Sequence, residues 1–138
     1  MADLRKLVVG AVVYRDERVL ILRRSSGDDF LPGIEELPSG GVDDGEDLRS
    51  ALARELAEEI GWSGPLVRDR DFVAAFDYVS GSGRKARQFT LALPGNASPI
   101  VLSDEHDSYR WITPDELPDS DLTDETAEAV HDWAASRR

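Results

Sequence analysis

The stretch Leu48 to Ile60 sets an apolar helical stripe beside three crowded glutamates, and few folds can accommodate both. At about 100° per residue, Leu48, Leu52, Leu56 and Ile60 share one face, while Glu55, Glu58 and Glu59 fall on an adjoining arc. Glu59 points between Leu48 and Leu52, at the margin of the face that must be buried. At ~6 Å and an effective dielectric of ~20, each carboxylate repulsion is on the order of 3 kcal/mol, more than helix propensity offsets. A solvated acidic face would lie opposite the leucines and alternate with lysine, yet the bases of this helix are Arg49 and Arg54. The cluster therefore calls for a cation. Carboxylate oxygens with no Cys and no nearby His suit Mg²⁺, with Mn²⁺ as a substitute, and suit zinc badly. Mg²⁺ keeps positions open for water and phosphate oxygens, so the helix marks a place to hold a polyphosphate.

Around that helix, Gly40, Glu46, Arg54, Glu55, Glu58, Glu59 and Gly61 stand at the spacing G-x5-E-x7-R-E-U-x-E-E-x-G-U, where U is a bulky apolar residue. The segment from Gly40 to Trp62 resembles the Nudix box, and departs from it only in Trp62, where an aliphatic residue is usual. Seven fixed matches arise by chance at roughly 10⁻⁸ to 10⁻⁹ per register, so coincidence is not the explanation.

Composition narrows the partners. A formal charge of −12 argues against a nucleic-acid polymer or an anionic membrane as partner, because phosphate-backbone affinity needs clustered Lys and Arg. A small phosphorylated substrate remains compatible, since a bound metal inverts the local field. The apolar run Leu7 to Tyr14 is too short to span a bilayer and lacks a cleavage site, so a cytoplasmic location is the expectation. A length of 138 residues fits one domain over 1–138, acting as a monomer or homodimer.

Along the chain, Leu7 to Tyr14 and Arg18 to Arg23 read as strands joined in a hairpin at Asp16-Glu17. A polar loop, Ser25 to Asp29, and Phe30-Leu31-Pro32-Gly33 lead to a short extended segment, Ile34 to Pro38. The box helix runs from about Asp47 to Ile60 and stops at Gly61 in a left-handed conformation. Phe72 to Val79 and Gln88 to Leu93 read as strands around a polar tip, Ser80 to Lys85, and Tyr109 to Ile112 as a short strand. Thr113-Pro114-Asp115-Glu116 opens a brief helical turn with a capping box. Leu122, Thr126, Val130, Trp133 and Ala134 mark a final amphipathic helix. The fold class is α/β, a mixed β-sheet with the box helix on one face and the C-terminal helix on the other, matching the Nudix-type α/β/α sandwich.

The resemblance implies roles for particular residues. Glu55, Glu58 and Glu59 bind the divalent ion directly or through water, with the carbonyl of Ser39 as a further ligand, where the family more often has glycine. Arg54 and Glu46 orient those carboxylates. The general base is either a box glutamate, here Glu58, or a carboxylate from a loop before a late strand, here Glu105 within Ser103 to Asp107. His106 reads as a surface residue and His131 receives no role. Arg23 and Arg24 end the second strand as candidate phosphate contacts, one facing the cleft and the other solvent because strand neighbours point oppositely. Arg87 is a further candidate, and Phe30, Phe76 and Tyr78 could stack a base.

The implied activity is hydrolysis of a diphosphate linkage in a nucleotide, with a nucleoside triphosphate split to monophosphate and pyrophosphate. Dinucleoside polyphosphates and nucleotide-sugar or ADP-ribose conjugates are the alternative substrates. A non-catalytic nucleotide sensor is the alternative of another class, but it would be expected to have lost a box glutamate. An isopentenyl-diphosphate isomerase within the family would need a cysteine, and this chain has none.

Overall fold

The computed structural model describes residues 6–27, 33–67, 69, 72–79 and 83–137. Strands β1 (Lys6–Arg15) and β2 (Arg18–Arg24) form the expected hairpin, with Asp16 at φ 54° in its turn. Asp tolerates that left-handed conformation better than most residues with a Cβ. The two strands then part. They pair only at Tyr14↔Val19 and Arg15↔Arg18, and a segment carrying β3 (Glu35–Glu36) and β4 (Ser39–Gly41) enters the gap. In that gap β3 pairs with β2 while β4 pairs with β1, both antiparallel.

On the far side of β1, strand β6 (Lys85–Pro94) runs parallel to it, and β5 (Val73–Val79) lies antiparallel beyond. Strand β7 (His106–Ile112) pairs with β2 on the opposite side, with a bulge between Arg23 and Arg24. It begins earlier than the expected Tyr109, so His106 and Asp107 belong to a strand rather than to a loop. The sheet is thus mixed, as the alternating strands and helices predict.

Helix α1 (Leu48–Ile60) is capped by the Asp47 carboxylate, which accepts the Ser50 N–H, and ends at Gly61 with φ 72°. Its buried Leu52, Leu56 and Ile60 pack on Val9, Ala11, Val13, Leu20, Leu22, Leu91 and Leu93. Full burial of each such side chain contributes about 1.5–3 kcal/mol, which sets the weight of this layer. Helix α2 (Asp124–Ser136) places Val130 and Trp133 on the other face, against Val12, Val19, Ile21, Phe72, Ala92 and Ile112. Consecutive residues of β1 and β2 serve opposite layers, as the period of two requires. Between β7 and α2 the expected helical turn is a 3-10 segment, Pro114–Asp119, with Glu116 accepting the Thr113 N–H. No helix among the described residues is long and apolar enough to cross a membrane.

Candidate active site

Arg54 organises the entry to α1. Its fork donates to both oxygens of Glu46, at 3.0 and 2.8 Å, to the Gly41 carbonyl at 2.8 Å and to Glu55 at 2.7 Å. One planar group thereby ties the preceding loop, strand β4 and a helix carboxylate together, which a lysine ammonium could not do. The Arg54 bonds, aided by the Asp43 N–H, hold the Glu46 carboxyl down at about 2. Through these contacts Arg54 links Glu46 to the Glu55 carboxylate.

Gly40 explains why the box opens on glycine. A Cβ there would overlap the carboxyl group of Glu55, which lies directly against the Gly40 backbone. The β1–β4 ladder bonds through Pro38–Ala11 and Leu7–Val42, so Ser39 and Gly41 occupy the alternate positions whose polar groups turn away from β1. The Gly41 carbonyl accordingly meets Arg54, and the Ser39 N–H donates to Glu59 at 2.8 Å. The Ser39 carbonyl points to the same side as its N–H, so the departure here from the family's usual glycine leaves that oxygen on the side of Glu59.

Glu59 is 4 % exposed, as its place on the helix predicts. Burial, joined by the charges of Glu36, Glu55 and Glu105 and opposed by the Ser39 N–H, pushes its carboxyl up to about 9. Burial also raises Glu55, against the pull of Arg54. Glu58 sits apart, its side chain 60 % exposed and 3.7 Å from Arg54.

Two members of the cluster were not legible in the sequence. Glu36 on β3 bonds Arg24 at 3.2 Å and the His106 ring at 2.7 Å, and Glu36, Glu59 and His106 bring their ligand atoms within 4.8 Å of one another. His106 is therefore no surface residue. It is 5 % exposed, with Nε2 on Glu36 and Nδ1 without a hydrogen-bond partner among the described residues. Its position depends on the β2–β7 register and on the bulge opposite Arg24, neither of which has a local signature.

Beside this cluster opens a cleft of about 580 Å³. Arg24 and Glu105 line it beside Glu36, Ser39, Gly40, Glu55 and Glu59, while Phe76, Tyr78 and Gln88 form the wall on β5 and β6. Arg24 is thus the arginine that faces the cleft. Arg23 turns to the other side, bonding the Gly33 carbonyl at 2.6 Å and Asp121 at 3.1 Å. Arg87 also faces away, paired with Asp77 at 2.7 Å across the outer face of β5 and β6. Phe30 and the tip residues 80–82 lie outside the described residues.

The donor set suits a divalent cation. A buried carboxylate that accepts one N–H and faces three other acids is stabilised by a positive charge among them, and oxygen donors from Glu55, Glu59 and Ser39 are those a hard ion selects.

Comparison with known proteins accords with this geometry. The model of the NUDIX domain matches residues 4–133. The RNA pyrophosphohydrolase of Novosphingobium aromaticivorans is 32% identical over 130 residues, covering 80% of this chain and 79% of that protein. The nucleoside triphosphatase NudI of Salmonella newport is 27% identical over 126 residues, covering 86% and 89%. The solution structure of the E. coli ORF135 protein superposes with a TM-score of 0.79 at 26% identity, covering 98% of this chain and 92% of that one. With its box running from the split hairpin through helix α1, the chain belongs to the NUDIX family of pyrophosphohydrolases.

Proposed function

We propose that this protein hydrolyses a nucleoside triphosphate to the monophosphate and pyrophosphate, with Mg²⁺ held by Glu55, Glu59 and the Ser39 carbonyl and Glu58 acting through water. Mn²⁺ is the substitute. The observation that carries the reading is the cleft itself, which brings the carboxylates of Glu55 and Glu59 and the aromatic rings of Phe76 and Tyr78 onto one lining. Such a lining fits a substrate that combines phosphates with a flat apolar ring.

A bound divalent ion would supply charge neutralisation for the phosphate oxygens. The chain's own residues do the rest. Arg24, steadied by Glu36, contacts a phosphate oxygen. Water attacks phosphorus, the bond to the bridging oxygen breaks, pyrophosphate leaves, and the proton lost by water passes to Glu105, or to Glu58 if Glu105 is a spectator. Arg54 and Glu46 keep Glu55 in place without touching the substrate. Arg23 and Arg87, engaged elsewhere, drop out as phosphate contacts.

An RNA 5′ end is the second reading, favoured by the likeness to an RNA pyrophosphohydrolase. The charge of −12 favours the free nucleotide. The test is hydrolysis of a nucleotide panel and a 5′-triphosphorylated RNA in Mg²⁺, scoring pyrophosphate against orthophosphate release. Orthophosphate as the product, or an undiminished rate in excess EDTA, would refute the proposal.

A further inference from the structure

We propose that Gln88 determines base specificity, its carboxamide selecting a nucleobase that bears an exocyclic amine over one with a keto group in its place. This rests on the nucleotide reading above. Gln88 lies on β6 between buried Ala86 and Thr90 and is itself 8 % exposed, yet it lines the cleft. A carboxamide so placed is unfavourable unless satisfied. Its Nε2 donates one long bond, 3.4 Å, to the Thr90 hydroxyl, and its oxygen accepts none from the described residues. In this arrangement the amide end lies towards Thr90, and the oxygen is left to accept from something else.

Strand β1 is shaped around this group. A Cβ at Gly10 would come within 2.8 Å of Gln88 Nε2, so a glycine between buried Val9 and Ala11 preserves the space that the amide fills. The register places Gly41, Val8, Gln88 and Phe76 in one row across β4, β1, β6 and β5. Two strand spacings separate Gln88 from Gly41 by about 10 Å, which suits a base at one end and phosphates at the other. Phe76, next in the row, offers the ring a face on which to lie. An amine entering here donates to the Gln88 oxygen. A keto oxygen in the same place meets another acceptor and leaves both unpaired, the arrangement that discriminates most strongly between near-isosteres.

The test measures kcat/KM for ATP against ITP and for CTP against UTP, and Kd for AMP against IMP, in the wild type and in Gln88→Met. The wild type should prefer the amine-bearing nucleotide ~10- to 100-fold in at least one pair, and Gln88→Met should bring that ratio within about threefold of unity. Nucleotide hydrolysis with both wild-type ratios inside threefold, or a preference that survives Gln88→Met, overturns the role of Gln88 and leaves the nucleotide reading intact. Should Gln88→Met not fold, the wild-type ratios decide. If no nucleotide is hydrolysed but AMP binds ~10-fold tighter than IMP and the variant erases this, Gln88 keeps its role and the hydrolytic reading falls. Equal binding of AMP and IMP without hydrolysis sinks both.

Discussion

Glu59 takes the Ser39 N–H at 2.8 Å while its carboxyl group is buried among other acids. Raised from 4.5 to about 9, this group favours the folded state while protonated, so its contribution is full below about 4.5 and is lost as pH climbs through about 9. Glu55, also raised, acts with the same sign. Glu35, Glu46 and Glu116 are held below their ordinary values and act with the opposite sign at lower pH. The metal-free protein should therefore lose Tm between about pH 5 and 9, and Glu59→Gln should flatten the decline. Thermal melts in EDTA check this, and parallel slopes for the two proteins would be decisive against it.

Gly40→Ala forces the Glu55 carboxyl group out of its seat and strains its bond to Arg54. Activity should fall by ~10²-fold or more, while stability drops by only about 1–3 kcal/mol, the usual scale of local overpacking. Steady-state kinetics beside a urea titration separate the two. Near-normal turnover would mean that Glu55 is not needed where it lies.

Arg54→Lys removes the planar fork but keeps the charge. A compact ammonium cannot hold Glu46, Glu55 and the Gly41 carbonyl together, so kcat should drop ~10- to 100-fold and the Mg²⁺ requirement should rise. A metal titration of activity reads both. Wild-type metal dependence would reduce Arg54 to a simple counter-charge.

Glu105→Gln and Glu58→Gln discriminate between the candidate bases. Glu105 lines the cleft, whereas Glu58 is largely exposed, so Glu105→Gln should lower kcat ~10²-fold with KM little changed. Glu58→Gln should also lower kcat by ~10²-fold, accompanied by weaker metal activation, if it holds the ion through water. Full activity of the Glu105 variant would pass the base role to Glu58.

Helix α1 and its Gly61 terminus were readable because they obey local rules: one period and one left-handed residue. Both layers of the sandwich followed from the same patterns. The identity of the arginine facing the cleft did not, because Arg23 and Arg24 differ only in parity and the choice is made by pairing with β3 and β7. Glu36 and His106 meet across 70 positions of sequence, so no spacing rule could join them. Gln88 has no local signal either, because alternation along β6 does not say which face meets the cleft, and here Arg87 faces out while the amide faces in.

The parting of β1 from β2 has an evolutionary consequence. The acids of the cleft are carried by α1, the intruding segment and the approach to β7, whereas Phe76, Tyr78 and Gln88 belong to β5 and β6 on the side of the sheet that α2 covers. The two sets of residues belong to different elements and face one another across the cleft. On the proposed reading, exchanging Phe76 or Gln88 would change which molecule is admitted while leaving the acids of α1 in place, which makes this architecture easy to redirect towards new substrates.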